Sequence, residues 1–142
     1  MCNNNLPVWI LEGIAMHDGS AQYGFENVRM FESMTKKQVS ITIDDLEKLD
    51  LSSDITIEEV HQVYNTSYMY VKFMVETYGR RKFMSIFSEA GKKPFHDNTL
   101  NEAFESKNKE TLSEVFIEIL GKTKEKISLE YLEWLESQTI GN

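Results

Sequence analysis

The chain has 142 residues, of which 41% are hydrophobic and 27% are charged, a composition typical of one folded domain and not of a disordered segment. Its formal net charge of −8 opposes binding to a phosphate backbone, so we expect no nucleic-acid partner. The single cysteine excludes an internal disulfide.

The sequence also argues against a membrane partner. No apolar run approaches the ~20 residues that a membrane-spanning helix needs. The first residues lack the basic stretch and long apolar run of a secretory signal peptide, so the chain as written is predicted to be cytoplasmic. We expect residues 1–142 to form one helical domain, with residues 1–5 as a disordered lead-in.

The first third of the chain is predicted to hold several short elements. Leu6 to Met16 is apolar and starts near a proline, which favours a helix, and Asp18-Gly19-Ser20 predicts its end. Val28 to Met34 fits a short helix. Val39 to Ile43 alternates with a period of two, which fits a brief strand, and Asp44 to Leu49 predicts one or two helical turns.

The clearest helix begins at Thr56. Thr56 and Glu59 match a capping box, in which each side chain bonds the other residue's free backbone N–H. Apolar residues follow at near-helical spacing, and Gly79 predicts the end. The apolar stretch from Tyr68 to Val75 would also fit a buried strand, but its length and the capping box favour a buried helix.

Further helices are predicted downstream. Arg80 to Ala90 has an apolar face, and Ser128 or a neighbour starts the last helix. Two more capping boxes predict two helix starts between them. These boxes are Thr99 with Glu102 and Thr111 with Glu114. The sequence therefore predicts an all-α fold of about six helices in one unit.

The three histidines do not form a known zinc motif. His17, His61 and His96 are never four residues apart, so the chain contains no His-Glu-x-x-His. That motif places two histidines one helical turn apart, with a glutamate between them as the base. A Gly-x-Ser-x-Gly elbow and a glycine-rich phosphate loop are also missing from the sequence.

Glu12 is the acid that stands out, because it interrupts the apolar run Trp9-Ile10-Leu11-Glu12-Gly13-Ile14-Ala15. Burying a carboxylate without a partner is costly. Glu12 could therefore lie in the first turn of a helix and face water, where the helix dipole favours an acid. Alternatively it points into a cleft and binds a cation, with Gly13 allowing another backbone or a ligand to approach closely.

The segment Leu6-Pro7-Val8-Trp9-Ile10-Leu11-Glu12-Gly13-Ile14-Ala15 resembles the Leu-Pro-x-Trp-Leu-x-Glu-Gly-x-Ala segment of gluzincin zinc peptidases. The similarity is to the bacterial peptidase MA-like group and, more distantly, to the aminopeptidases. In that family the segment follows the His-Glu-x-x-His helix, and its glutamate is the third zinc ligand. The resemblance therefore implies that Glu12 is a zinc ligand.

A second segment, Val63 to Gly79, is similar to the family's Tyr-x-x-Ser-Tyr-x-x-Val-x-x-Leu-x-x-x-Tyr-Gly helix. In the aminopeptidase branch a tyrosine near the start of that helix donates a hydrogen bond to the tetrahedral oxyanion. The matching residue is Tyr64, and the alternative reading is a core-facing aromatic. The chain departs from the family by lacking His-Glu-x-x-His and an aromatic residue near Met16-His17.

The resemblance implies the C-terminal helical lobe of a zinc-dependent metallopeptidase-like protein, which would act on a peptide or protein if the full domain exists. Zinc is the cofactor of the intact family, but this chain alone is expected to hold none and to be inactive. The alternative is a non-catalytic interaction module that binds a protein partner at an exposed cleft near Glu12. A third reading is an independent site built from His17, Asp18 and Glu12.

Overall fold

The computed structural model describes residues 6–23, 34–50, 52, 54–93 and 101–140, with the side chains of 20–23 and 101–106 left out. These residues form seven helices, which confirms the all-α prediction. The helices are α1 (Val8–Tyr23), α2 (Lys36–Val39), α3 (Ile43–Asp50), α4 (Ile57–Tyr78), α5 (Arg80–Ala90), α6 (Asn101–Leu120) and α7 (Lys124–Glu136). Within the described ranges, no helix combines the length and the apolar character needed to cross a membrane.

Helix α4 is the centre of the fold, and it begins as the sequence predicts. The backbone N–H of Glu59 donates to Thr56 Oγ1 at 3.1 Å, and the N–H of Thr56 donates to Glu59 Oε1 at 3.0 Å. The helix ends at Gly79, whose φ of 92° lies in the region that favours glycine. Tyr68 to Met74 is buried apart from the half-buried Lys72, so the apolar stretch is a buried helix and not a strand.

Helix α1 packs along α4 more extensively than any other described pair of helices. The two backbones approach most closely at Gly13. A Cβ atom at that position would lie 2.6 Å from the carbonyl oxygen of Ser67 and 2.7 Å from Val71 Cγ2. Only a residue without a side chain therefore fits at the crossing, which confirms that Gly13 permits a close backbone approach.

Aromatic side chains join α4 to α7 and to the connector before α3. The rings of Tyr70 and Tyr131 stack with their centroids 3.7 Å apart. Burial raises the pKa of both phenols well above the usual value, so each keeps its proton and acts as a donor. Tyr70 donates to the carbonyl of Ile41 and Tyr131 to that of Val39, both at 2.7 Å.

The predicted strand from Val39 to Ile43 is wrong. Helix α2 ends at Val39 and α3 begins at Ile43, with a short connector between them. The alternating pattern arises because Val39 and Ile43 are both buried at the ends of that connector. Its backbone is satisfied by side chains instead of a neighbouring strand, since the N–H of Ile43 also donates to Ser128 Oγ at 2.9 Å.

Three predicted helix boundaries also change. Helix α1 continues through Asp18-Gly19-Ser20 to Tyr23. Thr111 does not start a helix, because it lies inside α6 and its hydroxyl donates to the carbonyl of Lys107. Helix α7 begins after Thr123, whose side chain accepts from the N–H of Lys126, and not at Ser128.

Several sequence predictions lie outside the described residues. They are the lead-in at residues 1–5, the short helix at Val28 to Met34 apart from Met34 itself, and the capping residue Thr99.

Candidate functional site

Glu12 and Tyr64 line the same pocket on the surface between α1 and α4. The pocket has a volume of about 180 Å³, and we call it the α1–α4 pocket. It is lined by Val8, Glu12, Asp50, Ile55, Val60, Val63 and Tyr64. Four aliphatic side chains thus surround two carboxylates and one phenol. The two residues that sequence similarity singles out meet at this place.

Glu12 differs from the other acids that are not exposed. The residue is half-buried, and within the described residues its carboxylate has no hydrogen-bond or ion-pair partner. Every other buried or half-buried acid among the residues that the structure describes has a partner. Those acids are Glu47, Asp50, Glu59, Glu89 and Glu130. Glu12 lies in the second turn of α1, beyond the first turn where a helix dipole would favour an acid.

Tyr64 lies on the outer face of α4, and not in the core. Its side chain is 40% exposed, and within the described residues its hydroxyl has no hydrogen-bond partner. The buried face of the same helix is formed by neighbours such as Val63 and Ser67. Tyr64 can therefore donate a hydrogen bond to a group that enters the pocket.

The crossing of α1 and α4 explains why Glu12 and Tyr64 meet. Glu12 directly precedes Gly13, and Gly13 contacts the carbonyl of Ser67. Tyr64 lies three residues before Ser67, which is just under one helical turn. The close approach that glycine allows thus brings the neighbouring side chains of the two helices to one pocket.

The electrostatics of the α1–α4 pocket favour a cation. Asp50 is the last residue of α3, so it lies at the negative end of the helix dipole. Glu12 adds a second carboxylate, and no basic side chain is found among the described lining residues. A positively charged group would gain most from Glu12, because Asp50 already has an interaction partner, and an anion would be repelled.

Sequence reasoning missed a buried ion pair between α3 and α7. Glu47 is 3% exposed and accepts from the indole Nε1–H of Trp9 at 3.0 Å. Lys124 Nζ lies 2.8 Å from each carboxylate oxygen of Glu47 and donates a third bond to the carbonyl of Lys109. Burial lowers the pKa of Lys124, and the charge of Glu47 offsets part of that shift.

A signal for Glu47 was present in the sequence. Ile43, Leu46, Glu47 and Asp50 follow the i, i+3, i+4, i+7 spacing of one helix face. Ile43 and Leu46 are fully buried, so an acid on that face needs a partner in the interior. The partner could not be found from sequence because Lys124 is 77 residues away.

The histidines are not brought to the α1–α4 pocket. His17 Nδ1 lies 3.5 Å from Asp18 Oδ1, which is long for a hydrogen bond. A hydrogen bond from Arg80 lowers the pKa of Asp18 and ties that acid to α5. His61 is exposed, and His96 lies outside the described residues. The described chain contains no group of three His, Cys, Asp or Glu side chains that could hold a metal ion.

A larger hollow of about 500 Å³ lies between the starts of α3 and α7. Most of its polar side chains already have partners in the fold. Thr42 Oγ1 accepts from the N–H of Asp45, and Ser128 Oγ accepts from that of Ile43. Lys124 donates its three protons to the two carboxylate oxygens of Glu47 and the carbonyl of Lys109. The smaller α1–α4 pocket is therefore the better candidate site.

The comparisons with known proteins identify the superfamily of the chain. No curated protein and no solved structure matches the chain. A family model described as the peptidase MA superfamily matches residues 1–116. The matched region includes α1 and α4, and therefore both Glu12 and Tyr64. Because this match covers most of the 142 residues, the chain belongs to the peptidase MA superfamily.

Proposed function

We propose that this chain is the C-terminal helical portion of a zinc-dependent metallopeptidase-like protein. In this proposal Glu12 supplies the third zinc ligand and Tyr64 donates a hydrogen bond to the oxyanion. The observation that carries it is the half-buried residue Glu12, whose carboxylate has no described partner and which shares a pocket with Tyr64. The superfamily is generally zinc-dependent.

The residues of the α1–α4 pocket could supply one of the three protein ligands of a catalytic zinc ion. A catalytic zinc takes three nitrogen, oxygen or sulfur ligands from protein and keeps one position for water. Glu12 offers one suitable oxygen ligand in an electronegative pocket. The described residues hold no group of three ligands, and the sequence contains no His-Glu-x-x-His. We therefore propose that the other two ligands and the base come from outside this sequence, and that the chain is inactive alone.

A bound zinc would polarise the scissile carbonyl of a peptide and lower the pKa of a water molecule. The chain's own groups have separate tasks. Glu12 contributes negative charge and one ligand oxygen. The phenol of Tyr64 donates to the oxygen that becomes negatively charged as the carbonyl is attacked. The aliphatic side chains of Val8, Val60 and Val63 line the pocket beside both groups and lower the local dielectric constant, which strengthens both interactions.

The test uses Co²⁺ as a paramagnetic substitute for zinc and nuclear magnetic resonance as the readout. We expect low concentrations of Co²⁺ to broaden the side-chain signals of Glu12 and Tyr64 before those of exposed acids. Glu12→Gln should remove the broadening at Tyr64. The matched control is Glu58→Gln, because Glu58 is exposed in the first turn of α4.

Two results would contradict the proposal. One is broadening that spreads over the surface acids with no preference for Glu12. The other is tight, stoichiometric zinc binding by the chain in a calorimetric titration that Glu12→Gln leaves unchanged. Peptide hydrolysis that survives Glu12→Gln would contradict the proposed inactivity of the chain alone.

A second candidate function is a non-catalytic interaction module. It is favoured by three apolar or aromatic side chains that remain exposed at the pocket and beside it. Val8 is 43% exposed, Ile57 77% and Tyr64 40%. A module should lose a co-purifying protein partner in Ile57→Ser and keep it in Glu12→Gln. The opposite pattern would support the metal-binding role of Glu12.

A further inference from the structure

We propose that Glu47 and Lys124 are positioning residues for Glu12 and act on it through Trp9. The proposal rests on the proposed function in that it treats Glu12 as the functional group of the α1–α4 pocket. None of these three residues lines that pocket. Their effect is to fix the rotation of α1 about its own axis.

The first step is the contact between Trp9 and Glu47. Trp9 is fully buried, and its indole N–H donates to Glu47 Oε2 at 3.0 Å. The indole also packs edge-on against Tyr70, with ring centroids 5.8 Å apart. Trp9 and Glu12 are three residues apart on α1, so both lie on neighbouring sides of one helical turn. Fixing the indole therefore fixes the direction in which Glu12 points.

Two contacts determine the position of α1, one its distance from α4 and the other its rotation about its own axis. The contact of Gly13 with Ser67 sets how closely α1 approaches α4. It does not itself set the rotation of the helix, because a glycine offers no side chain. The hydrogen bond from Trp9 to Glu47 is directional and lies one turn away, so it selects a single rotation.

The second step is the dependence of Glu47 on Lys124. A buried carboxylate is retained only where a cation and hydrogen bonds compensate the loss of water. Lys124 bonds both oxygens of Glu47 and the carbonyl of Lys109. Four helices thus meet at one buried charge pair. They are α3 with Glu47, α7 with Lys124, α6 with Lys109 and α1 with Trp9.

The third step concerns the part of the chain that supplies Lys124. Lys124 lies in α7, beyond the matched residues 1–116. Helix α7 is held against the matched region by Ser128, which accepts from Ile43, and by Tyr131, which donates to Val39. Helix α7, which lies outside the matched residues, therefore supports the placement of Glu12, which lies inside them.

The experiment measures the accessibility of position 12 in the full chain. Cys2→Ser removes the chain's single cysteine, and Glu12→Cys then introduces one thiol at the site. The rate of labelling by an uncharged maleimide reports how position 12 is oriented. The control thiol is Glu89→Cys, placed at a half-buried acid on α5. Circular dichroism checks that each variant is folded.

We expect Lys124→Met to speed labelling at position 12 by about fivefold through local opening, and at position 89 by less than about twofold. The double variant Glu47→Gln/Lys124→Met should return position 12 to the parent rate, because glutamine still accepts from Trp9 and no charge is left unpaired. Trp9→Phe should repeat the acceleration by removing the donor, which provides a second test should Lys124→Met fail to fold.

Equal acceleration at positions 12 and 89 would overturn the proposal, because it would mean a general loosening of the fold. An unchanged rate at position 12 in both Lys124→Met and Trp9→Phe would also overturn it. Neither result depends on metal binding, because Glu12 is replaced throughout. Failure of the Co²⁺ experiment would instead count against the proposed function, and the two failures are therefore distinguishable.

Discussion

Glu12 and Glu47 are both glutamates on apolar helix faces, but only Glu47 has partners that compensate its charge. Glu47 is buried with Trp9 and Lys124 bonded to its oxygens. Glu12 is half-buried with no partner among the described residues. An acid on an apolar helix face can therefore be a structural residue or a site residue. The presence of compensating partners separates the two cases.

The largest effect on stability is expected when Glu47 loses its ion-pair partner Lys124 and thus comes to resemble Glu12. Lys124→Met leaves a buried carboxylate without its cation and should lower the free energy of unfolding by about 3–5 kcal/mol. The measurement is urea denaturation. The control is the double variant Glu47→Gln/Lys124→Met, which removes both charges, keeps an acceptor for the indole N–H of Trp9 and should stay near the parent. A single variant as stable as the parent would show that Glu47 is not held by this pair.

The second effect concerns the crossing that brings Glu12 to Tyr64. Gly13→Ala should lower the free energy of unfolding by about 1–3 kcal/mol, because its Cβ would lie 2.6 Å from the carbonyl oxygen of Ser67. Gly19→Ala in the same helix is the control. It meets no atom within 4 Å and should be stabilising by about 0.5–1 kcal/mol through its better helix propensity. Equal effects of the two substitutions would contradict the close crossing.

These two regions also show how far the sequence could predict the molecule. The all-α class and the capped helix from Thr56 were readable, because periodicity and capping are local properties. Glu12 stood out because it interrupts an apolar run, whereas the roles proposed for Glu12 and Tyr64 came only from the resemblance to a family. The partners of Glu47 were not, because hydrogen bonds across 38 and 77 residues leave no local pattern.

The errors in the sequence prediction have two different origins. Thr111 and Glu114 have the spacing of a capping box, yet Thr111 is buried in the middle of α6 and its hydroxyl donates to Lys107. The alternation from Val39 to Ile43 fits a strand, yet Tyr131 and Ser128 bond the backbone at its two ends. At Val39 to Ile43 a tertiary contact outweighs a local preference. At Thr111 the helix already extends through the residue, and the hydroxyl bonds a carbonyl of the preceding turn instead of capping a helix start.

A third carboxylate, Glu130, lies between the two extremes, because it is half-buried and paired at the surface. A hydrogen bond from Lys122 holds the pKa of Glu130 below its usual 4.5, and a hydrogen bond from Tyr78 adds to the shift. A depressed pKa in the folded state means that the stabilisation is complete above pH 4.5 and is lost as the pH falls below that value.

We therefore expect Glu130→Gln to flatten the loss of stability below pH 4.5 and to cost about 1 kcal/mol or less at neutral pH. The measurement is urea denaturation at several pH values. Glu133→Gln is the control, because Glu133 is an exposed acid on the same helix. An identical pH profile for the parent and Glu130→Gln would show that this pair does not contribute.

The smallest effect on stability, and the sharpest on function, is expected at Glu12 itself. Glu12→Gln removes a charge that no described group compensates, so the free energy of unfolding should stay within about 0.5 kcal/mol of the parent. The same substitution should abolish the Co²⁺ effect on Tyr64. A loss of more than about 1 kcal/mol would place Glu12 with the hydrogen-bonded acids. Glu12 would then be a structural residue like Glu47, and the contrast on which the metal-binding role depends would disappear.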